Sequence, residues 1–267
     1  MDVKLDKNIK IIWVISFPRS GTHLTIDFIR KQFKECSSEK RRGESNDYLY
    51  IDHLQTLKSK KGLNIIQRTN YPIIKSHVFP TQEKLLKCGL DQGLIKDIIK
   101  KSIYFYIVRD PRDVMVSFYE FKTKKNSEKS RCSFKKFIRQ KENGLNPLEK
   151  WSNHIKKGFN NDFPLQVIRM EDILQQPYQT LEKISQYIEA EPIYTEPLLP
   201  KRFLTKWHSR WAKLVLTRPE STAIIGNKVQ KWQEILSWED RSFFHVQVGE
   251  WLIKLGYENS DSWVDKP

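Results

Sequence analysis

Residues 10–33, KIIWVISFPRSGTHLTIDFIRKQF, decide the fold of this chain. The apolar run from Ile11 to Ser16 is typical of a strand that is buried on both faces of a parallel sheet. Apolar residues then recur at the spacing of one helix face, at Leu24, Phe28, Ile29 and Phe33. The stretch therefore predicts a strand, a tight turn and a helix.

The turn between the two elements has the composition of a phosphate-binding loop. Gly21 lets the backbone approach an anion closely, and we expect the N–H groups of Ser20 to His23 to be the donors of the first helical turn. Arg19 adds a positive charge just before the glycine. The loop predicts a site for phosphate or a similar oxyanion, and a purely structural turn is the alternative.

The loop differs from that of ATP- and GTP-binding proteins. Their motif has two glycines that flank four residues, followed by Lys and then Ser or Thr. Here one glycine is present and the cation, Arg19, precedes it. Magnesium-dependent phosphoryl transfer is therefore disfavoured, and a P-loop-type nucleotide or small-molecule kinase is retained as the alternative function.

A second motif, IYFYIVRDPRDVMVSFYEF at residues 103–121, repeats the order of strand, charged turn and helix. Pro111 suits the first helical position, where its missing N–H has no intrahelical partner to lose. Arg109 ends the strand and Ser117 lies two turns into the helix, so both could hold a second phosphate at the carboxyl edge of the sheet. The residues predicted to form the buried stripe of this helix are Val114, Phe118 and Phe121.

Apolar runs alternate with helical patterns along the whole chain. The predicted strands are Ile11–Ser16, Ile73–Ser76, Ile103–Val108 and Leu165–Arg169. Such alternation predicts an α/β fold, a central parallel sheet with helices on both faces. No Gly/Ser- or Pro-rich linker divides the 267 residues, so we expect a single domain over residues 1–267.

A third element, YPIIKSHVFP at residues 71–80, ends a short apolar run with Lys75, Ser76 and His77. With this element the chain resembles the sulfotransferases that use 3′-phosphoadenosine-5′-phosphosulfate (PAPS). FPRSGTH is similar to the family's 5′-phosphosulfate loop, IKSH to the strand end that bears its base, and VRDPRDVMVSFYEF to its 3′-phosphate motif. The resemblance extends from Ile11 to GNKVQKWQEILS at residues 226–237, and it implies the P-loop-like, nucleotide-kinase-like sulfotransferase fold.

The resemblance implies how PAPS is bound as co-substrate, with 3′-phosphoadenosine 5′-phosphate (PAP) as product and no metal. Arg109 and Ser117 would hold the 3′-phosphate. Arg19 stands where many members have Lys, and it would neutralise charge on the bridging oxygen as the sulfuryl group leaves. The residues that would cradle the 5′-phosphate are Ser20, Gly21, Thr22 and His23.

The resemblance also implies the catalytic groups. His77 would be the general base, since a neutral imidazole can take the proton of a hydroxyl acceptor. Lys75 would stabilise negative charge on the sulfuryl oxygens during an in-line transfer without a covalent intermediate. The alternatives are a histidine that caps a strand and a solvated surface lysine.

The chain departs from the family's best-known cytosolic members around the adenine. Leu24 stands where they usually have an aromatic residue after the loop, and Met170 stands where a Tyr often contacts the base. The glycine-rich C-terminal segment has also diverged. The residues that remain as additional 3′-phosphate ligands are Arg218 and Lys228. Trp232 is expected to pack in the core.

The net charge of +15 and the eight tryptophans raise nucleic-acid binding as another alternative. Lys and Arg are spread along the sequence, however, and a basic surface would also attract the highly anionic PAPS. We therefore expect neither a nucleic-acid nor a membrane partner. Three cysteines without disulfide or metal-ligand spacing, and no signal or membrane-spanning segment, predict a cytoplasmic protein.

The sequence points to a small hydroxylated acceptor, with a specialised metabolite favoured. A glycan or lipid hydroxyl and an amine remain open, as does the oligomeric state, a homodimer included. The segments without clear periodicity, candidates for the acceptor pocket and its cover, are Ser37–Asp47, Lys122–Arg131 and Glu191–Gly226. The aromatic residues proposed for an apolar wall are Trp207, Trp211, Phe118 and Phe121.

Overall fold

A computed structural model describes residues 5, 8–36, 51, 54–59, 62, 66, 69–125, 132–199 and 229–265. Of the three segments proposed around the acceptor, 37–47 lies outside these residues, as do 126–131 and 200–226. Trp207 and Trp211 also lie outside them.

Four strands and nine α-helices lie in the part of the chain that the structure describes. The strands are β1 (Ile11–Ser16), β2 (Ile73–Ser76), β3 (Ser102–Val108) and β4 (Leu165–Arg169). The helices are α1 (Thr22–Gln32), α2 (Gln82–Lys87), α3 (Gln92–Lys100), α4 (Pro111–Lys125), α5 (Phe134–Arg139), α6 (Pro147–Phe159), α7 (Met170–Gln175), α8 (Pro177–Ile188) and α9 (Trp238–Lys254).

The chain forms two compact units. The first consists of Met1–Ser16, Gly21–Val108 and Phe163–Gly226. The second consists of Phe17–Ser20, Arg109–Asp162 and Asn227–Pro267. The expectation of a single domain over residues 1–267 stays a prediction.

The first unit contains a parallel sheet with the order β2-β1-β3-β4. Val14 of β1 is in register with Lys75 of β2, and Ile15 with Tyr106 of β3. All four strands run in one direction, so their carboxyl ends lie at one edge of the sheet. The predicted α/β fold with a central parallel sheet is confirmed, and the predicted strand bounds are correct to within one residue.

One face of the sheet is buried against α1 and α8. Ile12 and Val14 of β1 pack with Phe105 of β3 in a single apolar cluster. The residues that the 3.6-residue period predicts for the inner face of α1 are all buried in it: Leu24, Phe28, Ile29 and Phe33. Each such side chain contributes about 1.5–3 kcal/mol relative to an exposed position, so the cluster stabilises the packing of α1 against β1.

In the second unit α4 begins at Pro111, as predicted. Val114 is fully buried, but Phe118 is half-buried and Phe121 is exposed. The prediction of one buried stripe is therefore wrong for Phe121, because the second half of α4 extends beyond the core of the unit. Trp232 is buried, as expected, with the Arg112 guanidinium 3.8 Å from its ring centre.

No helix of the described residues is long and apolar enough to cross a bilayer. Within the same residues, no group of three or more His, Cys, Asp and Glu side chains could hold a metal ion. Cys36 and Cys88 are buried, Cys132 is half-buried, and all three thiols are free.

Candidate functional site

In the first unit, the end of β1 and the start of α1 are joined by side-chain contact. The Ser16 hydroxyl lies 2.5 Å from the Thr22 hydroxyl. Gly21 is the N-cap residue of α1 with φ 91° and ψ 18°, and no side chain of the described residues caps this helix. The left-handed backbone favours glycine, and the uncapped N-terminus of the helix can attract an anion.

Gly21 is also required by close packing against Met170, the first residue of α7. A Cβ atom at position 21 would lie 2.3 Å from the Met170 Cγ, much less than a van der Waals contact. Met170 is buried and belongs to the apolar cluster under the sheet. The structure thus places Met170 beneath the glycine, while its predicted role in binding adenine stays a prediction.

His77 follows β2, and its ring is oriented by a backbone carbonyl of β1. The Nδ1 atom lies 2.8 Å from the Ser16 oxygen. A carbonyl oxygen can only accept, so this contact assigns the ring proton of the neutral imidazole to Nδ1. The Nε2 atom is then the nitrogen with a lone pair, which is the arrangement that a general base requires.

Lys75 lies two residues before His77, inside β2. Its side chain is only 9% exposed, although it is charged. A buried ammonium is costly unless polar or anionic groups surround it. This location agrees better with a functional cation than with the alternative of a solvated surface lysine.

In the second unit, Arg19 contacts two residues of the second motif, at residues 103–121. The Arg19 Nε donates a hydrogen bond of 3.1 Å to the Ser117 hydroxyl on α4. Arg109, which follows β3 in the chain, donates from its guanidinium to the Arg19 carbonyl at 3.1 Å. The structure therefore brings together three residues that the sequence placed in two separate motifs.

The electrostatics of this cluster favour an anion. Arg19 is exposed as a residue, yet its guanidinium lies 4.9 Å from the centre of the Phe121 ring. This partial burial lowers the pKa of Arg19, and the charge of Arg109 lowers it further. An anion near two neighbouring guanidinium groups would relieve their repulsion.

Ser20 and Arg109 carry buried polar atoms that fit such an anion. The Ser20 hydroxyl and the Arg109 Nε are buried and have no hydrogen-bond partner among the described residues. Buried polar groups normally have hydrogen-bond partners, so these two atoms are able to bind an oxyanion. One expectation is corrected, because the Ser20 N–H donates to the Phe17 carbonyl at 3.2 Å and is not a spare donor of the first helical turn.

Sequence reasoning missed Asp113, which lies one turn after Arg109. Its carboxylate is 1% exposed, accepts from the N–H groups of Gln230 (2.8 Å) and Trp232 (3.1 Å), and lies 3.9 Å from the Arg109 guanidinium. Burial raises the pKa of Asp113, and the Arg109 charge opposes this. The only signal in the sequence is the Arg-Asp spacing of four residues within RDPRD.

The remaining predicted site residues are Thr22 and His23, both in the first turn of α1, and Arg218 and Lys228. Arg218 and Lys228 lie outside the residues that the structure describes. The structure describes the first residues after that gap, Val229 and Gln230, and the Gln230 N–H donates to Asp113.

Sequence comparison shows that the chain is similar to sulfotransferases. Sulfotransferase 4A1 of Mus musculus is 24% identical over 182 residues, which are 66% of this chain and 59% of that protein. Sulfotransferase 1E1 of Mus musculus is 25% identical over 184 residues, which are 67% of this chain and 59% of that protein. The chain thus spans about three fifths of the length of these relatives.

Solved structures share the fold. Mouse sulfotransferase SULT7A1 complexed with PAP superimposes with a TM-score of 0.51 at 13% identity, over 98% of this chain and 90% of that chain. Retinol dehydratase in complex with androsterone and inactive cofactor PAP superimposes with a TM-score of 0.50 at 16% identity, over 91% of this chain and 80% of that chain. The family model of the sulfotransferase domain matches residues 10–245. Since that match covers most of the chain, the protein belongs to the sulfotransferase domain family.

Proposed function

We propose that this protein is a PAPS-dependent sulfotransferase that acts on a hydroxyl group of a small molecule. Family membership supports sulfuryl transfer as the type of reaction. The two relatives whose structures contain PAP share the fold, and we infer the same nucleotide for this chain. PAPS would supply the activated sulfuryl group, and the residues of the chain would bind it, orient the acceptor and take up a proton.

The single observation that carries the proposal is the orientation of His77. The Ser16 carbonyl holds the Nδ1 proton at 2.8 Å, so Nε2 is the basic nitrogen of the neutral ring. Since a hydroxyl must lose its proton as it attacks sulfur, a base held in one tautomer contributes on the order of 10²–10⁴ to the rate. In this proposal His77 receives that proton at Nε2.

Cations and loop atoms of each unit would have further roles. Lys75, buried in β2, would stabilise charge on the sulfuryl oxygens, and Arg19 would neutralise charge on the leaving oxygen. Gly21 and Thr22 at the start of α1 would contact the 5′-phosphate through backbone N–H groups. Arg109 and Ser117 would hold the 3′-phosphate, for which the buried Arg109 Nε and its contact with the loop are the structural support.

The acceptor class and the cellular location belong to the same proposal. A small hydroxylated metabolite is the favoured acceptor, and an amine is the alternative because the same base could serve it. The three free cysteines agree with a reducing compartment, and we propose the cytoplasm.

A thermal-shift experiment in EDTA tests the donor assignment. PAP should raise the Tm of the wild-type protein in the presence of the chelator, whereas ATP with magnesium, measured without EDTA, should shift it much less. Arg109→Ala should reduce PAP affinity roughly ten- to a hundredfold, since a charge-assisted contact contributes about 1.5–3 kcal/mol. The affinity of the same variant for adenosine 5′-phosphate, which lacks the 3′-phosphate, should fall little.

Lys156→Ala is the matched control, because Lys156 is an exposed cation in the last turn of α6 in the same unit. It should leave PAP affinity unchanged. Equal stabilisation by ATP with magnesium, or equal losses of affinity in the two variants, would contradict the donor assignment. Incubating the wild-type protein with labelled PAPS and a panel of hydroxylated metabolites would then identify the acceptor.

A further inference from the structure

A cavity of about 420 Å³ lies in the second unit, apart from every residue to which a catalytic or donor-binding role is assigned above. It is bounded by the second half of α4, by α5 and by the start of α6. Its volume is within the range of pockets that bind small organic molecules, about 300–1,000 Å³. The cavity is large enough for one aromatic ring system with a charged substituent.

The helical period brings the lining side chains together. Tyr119, Lys122 and Thr123 are spaced three and four residues apart and share one face of α4. Lys136 and Gln140 are spaced four residues apart on and just after α5. These two faces form the walls of the cavity.

The walls carry more positive than negative charge. The basic residues are Lys122, Lys136, Lys141 and Lys150, and Glu142 is the one acidic residue of the lining. Glu142 accepts from the Lys150 ammonium at 2.7 Å, so its charge is already matched. Lys122 and Lys136 make no ion pair with any described residue within 4 Å. Within the described residues, these two lysines thus have no ion-pair partner at the cavity, although the hydrogen bond from Lys150, helped by the charge of Lys122, lowers the pKa of Glu142.

The floor of the cavity is aromatic and held in place. Phe137 is buried, and its ring centre lies 5.6 Å from that of Tyr119. The Tyr119 hydroxyl donates to the Cys132 carbonyl at 2.9 Å. The Lys122 ammonium lies 5.1 Å from the ring centre of Phe118 and 5.6 Å from that of Phe137, so it is positioned over the floor.

We propose that this cavity binds a small aryl oxyanion, an aromatic ring that carries a sulfate, sulfonate or similar group. The ring packs against Phe137 and Tyr119, since aromatic pairs prefer offset or edge-to-face contacts. The oxyanion lies between Lys122 and Lys136, which form no ion pair within 4 Å with a described residue, and ammonium–oxyanion hydrogen bonds are stronger than neutral ones. Ligands of this class include the products of aryl sulfation, so the site could sense product independently of the donor site.

The test is calorimetric titration of the full chain with 2-naphthyl sulfate at low ionic strength, where screening of surface charges is weakest. The wild-type protein should bind it both in the absence and in the presence of saturating PAP. Lys122→Ala/Lys136→Ala should weaken binding at least about tenfold. Inorganic sulfate alone should bind the wild-type protein at least about tenfold more weakly, since it lacks the ring that packs on the floor.

Lys156→Ala/Lys157→Ala is the matched control, because it removes two exposed lysines of the same unit from the last turn of α6, outside the cavity. It should change the affinity by less than about twofold, the charge difference being equal. Equal losses in both double variants would show attraction to the basic surface alone and overturn the proposal. So would displacement by PAP, or no binding to the wild-type protein.

Discussion

Asp113→Ala should destabilise the second unit far more than its charge alone suggests. In the folded protein the carboxylate accepts the N–H groups of Gln230 and Trp232, both within 3.1 Å, at a position that is 1% exposed. Alanine would leave these two donors without an acceptor, at about 1–3 kcal/mol each. We expect a loss of about 3 kcal/mol or more, a fall in Tm of roughly 6–12 °C for a chain of this size.

The control is Glu120→Ala on the same helix. Glu120 forms an ion pair with Lys231, so it joins α4 to the same C-terminal segment as Asp113 does. Its side chain is 40% exposed, however, and ion pairs at such positions contribute at most about 1 kcal/mol. The two variants remove one acidic charge each, and they differ in burial and in the backbone groups left behind.

Urea and thermal denaturation, followed by far-UV circular dichroism, measure the free energy of unfolding and the Tm of both variants. PAP affinity should fall with Asp113→Ala as well, because Arg109 loses the carboxylate 3.9 Å away that helps to position its guanidinium. If Asp113→Ala proved no more destabilising than Glu120→Ala, the assigned role of the buried carboxylate would be wrong.

Four further outcomes are expected. His77→Ala should abolish most turnover with an aliphatic alcohol and remove the acidic limb of the pH–rate profile, while PAP affinity stays near wild type in calorimetry. Arg19→Ala should lower kcat more than donor affinity, and Arg19→Lys should restore much of the rate; a pure affinity loss would make Arg19 a phosphate anchor. Gly21→Ala should lower the free energy of unfolding by about 1–3 kcal/mol in urea denaturation, because of the left-handed backbone and the clash with Met170. Adding Met170→Ala to this variant should recover only the part that comes from the clash. Burial raises the pKa of Asp113, so the folded state binds its proton more tightly than the unfolded state does. The unfolding free energy of the wild-type protein, taken relative to that of Asp113→Asn, should therefore fall as pH rises above the ordinary pKa of 3.8. A difference that rises with pH would contradict that direction of the pKa shift.

The strands and the order of the motifs were predictable from the sequence because they depend on local patterns. A run such as Ile11–Ser16 has few ways to bury its side chains other than a central parallel strand, and the structure has that strand with the same bounds. The inner face of α1 follows from the 3.6-residue period, and all of its predicted residues are buried. The positive φ of Gly21 agrees with the turn chemistry of the loop.

The period alone was not sufficient on α4. It predicted a buried face that includes Phe121, but burial also depends on how far the core of the unit extends along the helix. That extent is set by packing partners far away in the chain. Phe121 instead faces solvent, with the Arg19 guanidinium over its ring.

Only the tertiary structure decided how the chemical groups are oriented. The sequence identified His77, but the proton on Nδ1 is determined by the Ser16 carbonyl, 61 positions earlier in the chain. It identified Gly21, but the need for a glycine there also comes from Met170, and the local sequence does not predict that contact. From the sequence alone Asp113 has the pattern of a surface acid, and its burial depends on the N–H groups of Gln230 and Trp232, which donate to it. Local periodicity encodes which elements form, whereas tautomer, burial and close approach depend on contacts between segments distant in sequence, which a linear pattern does not contain.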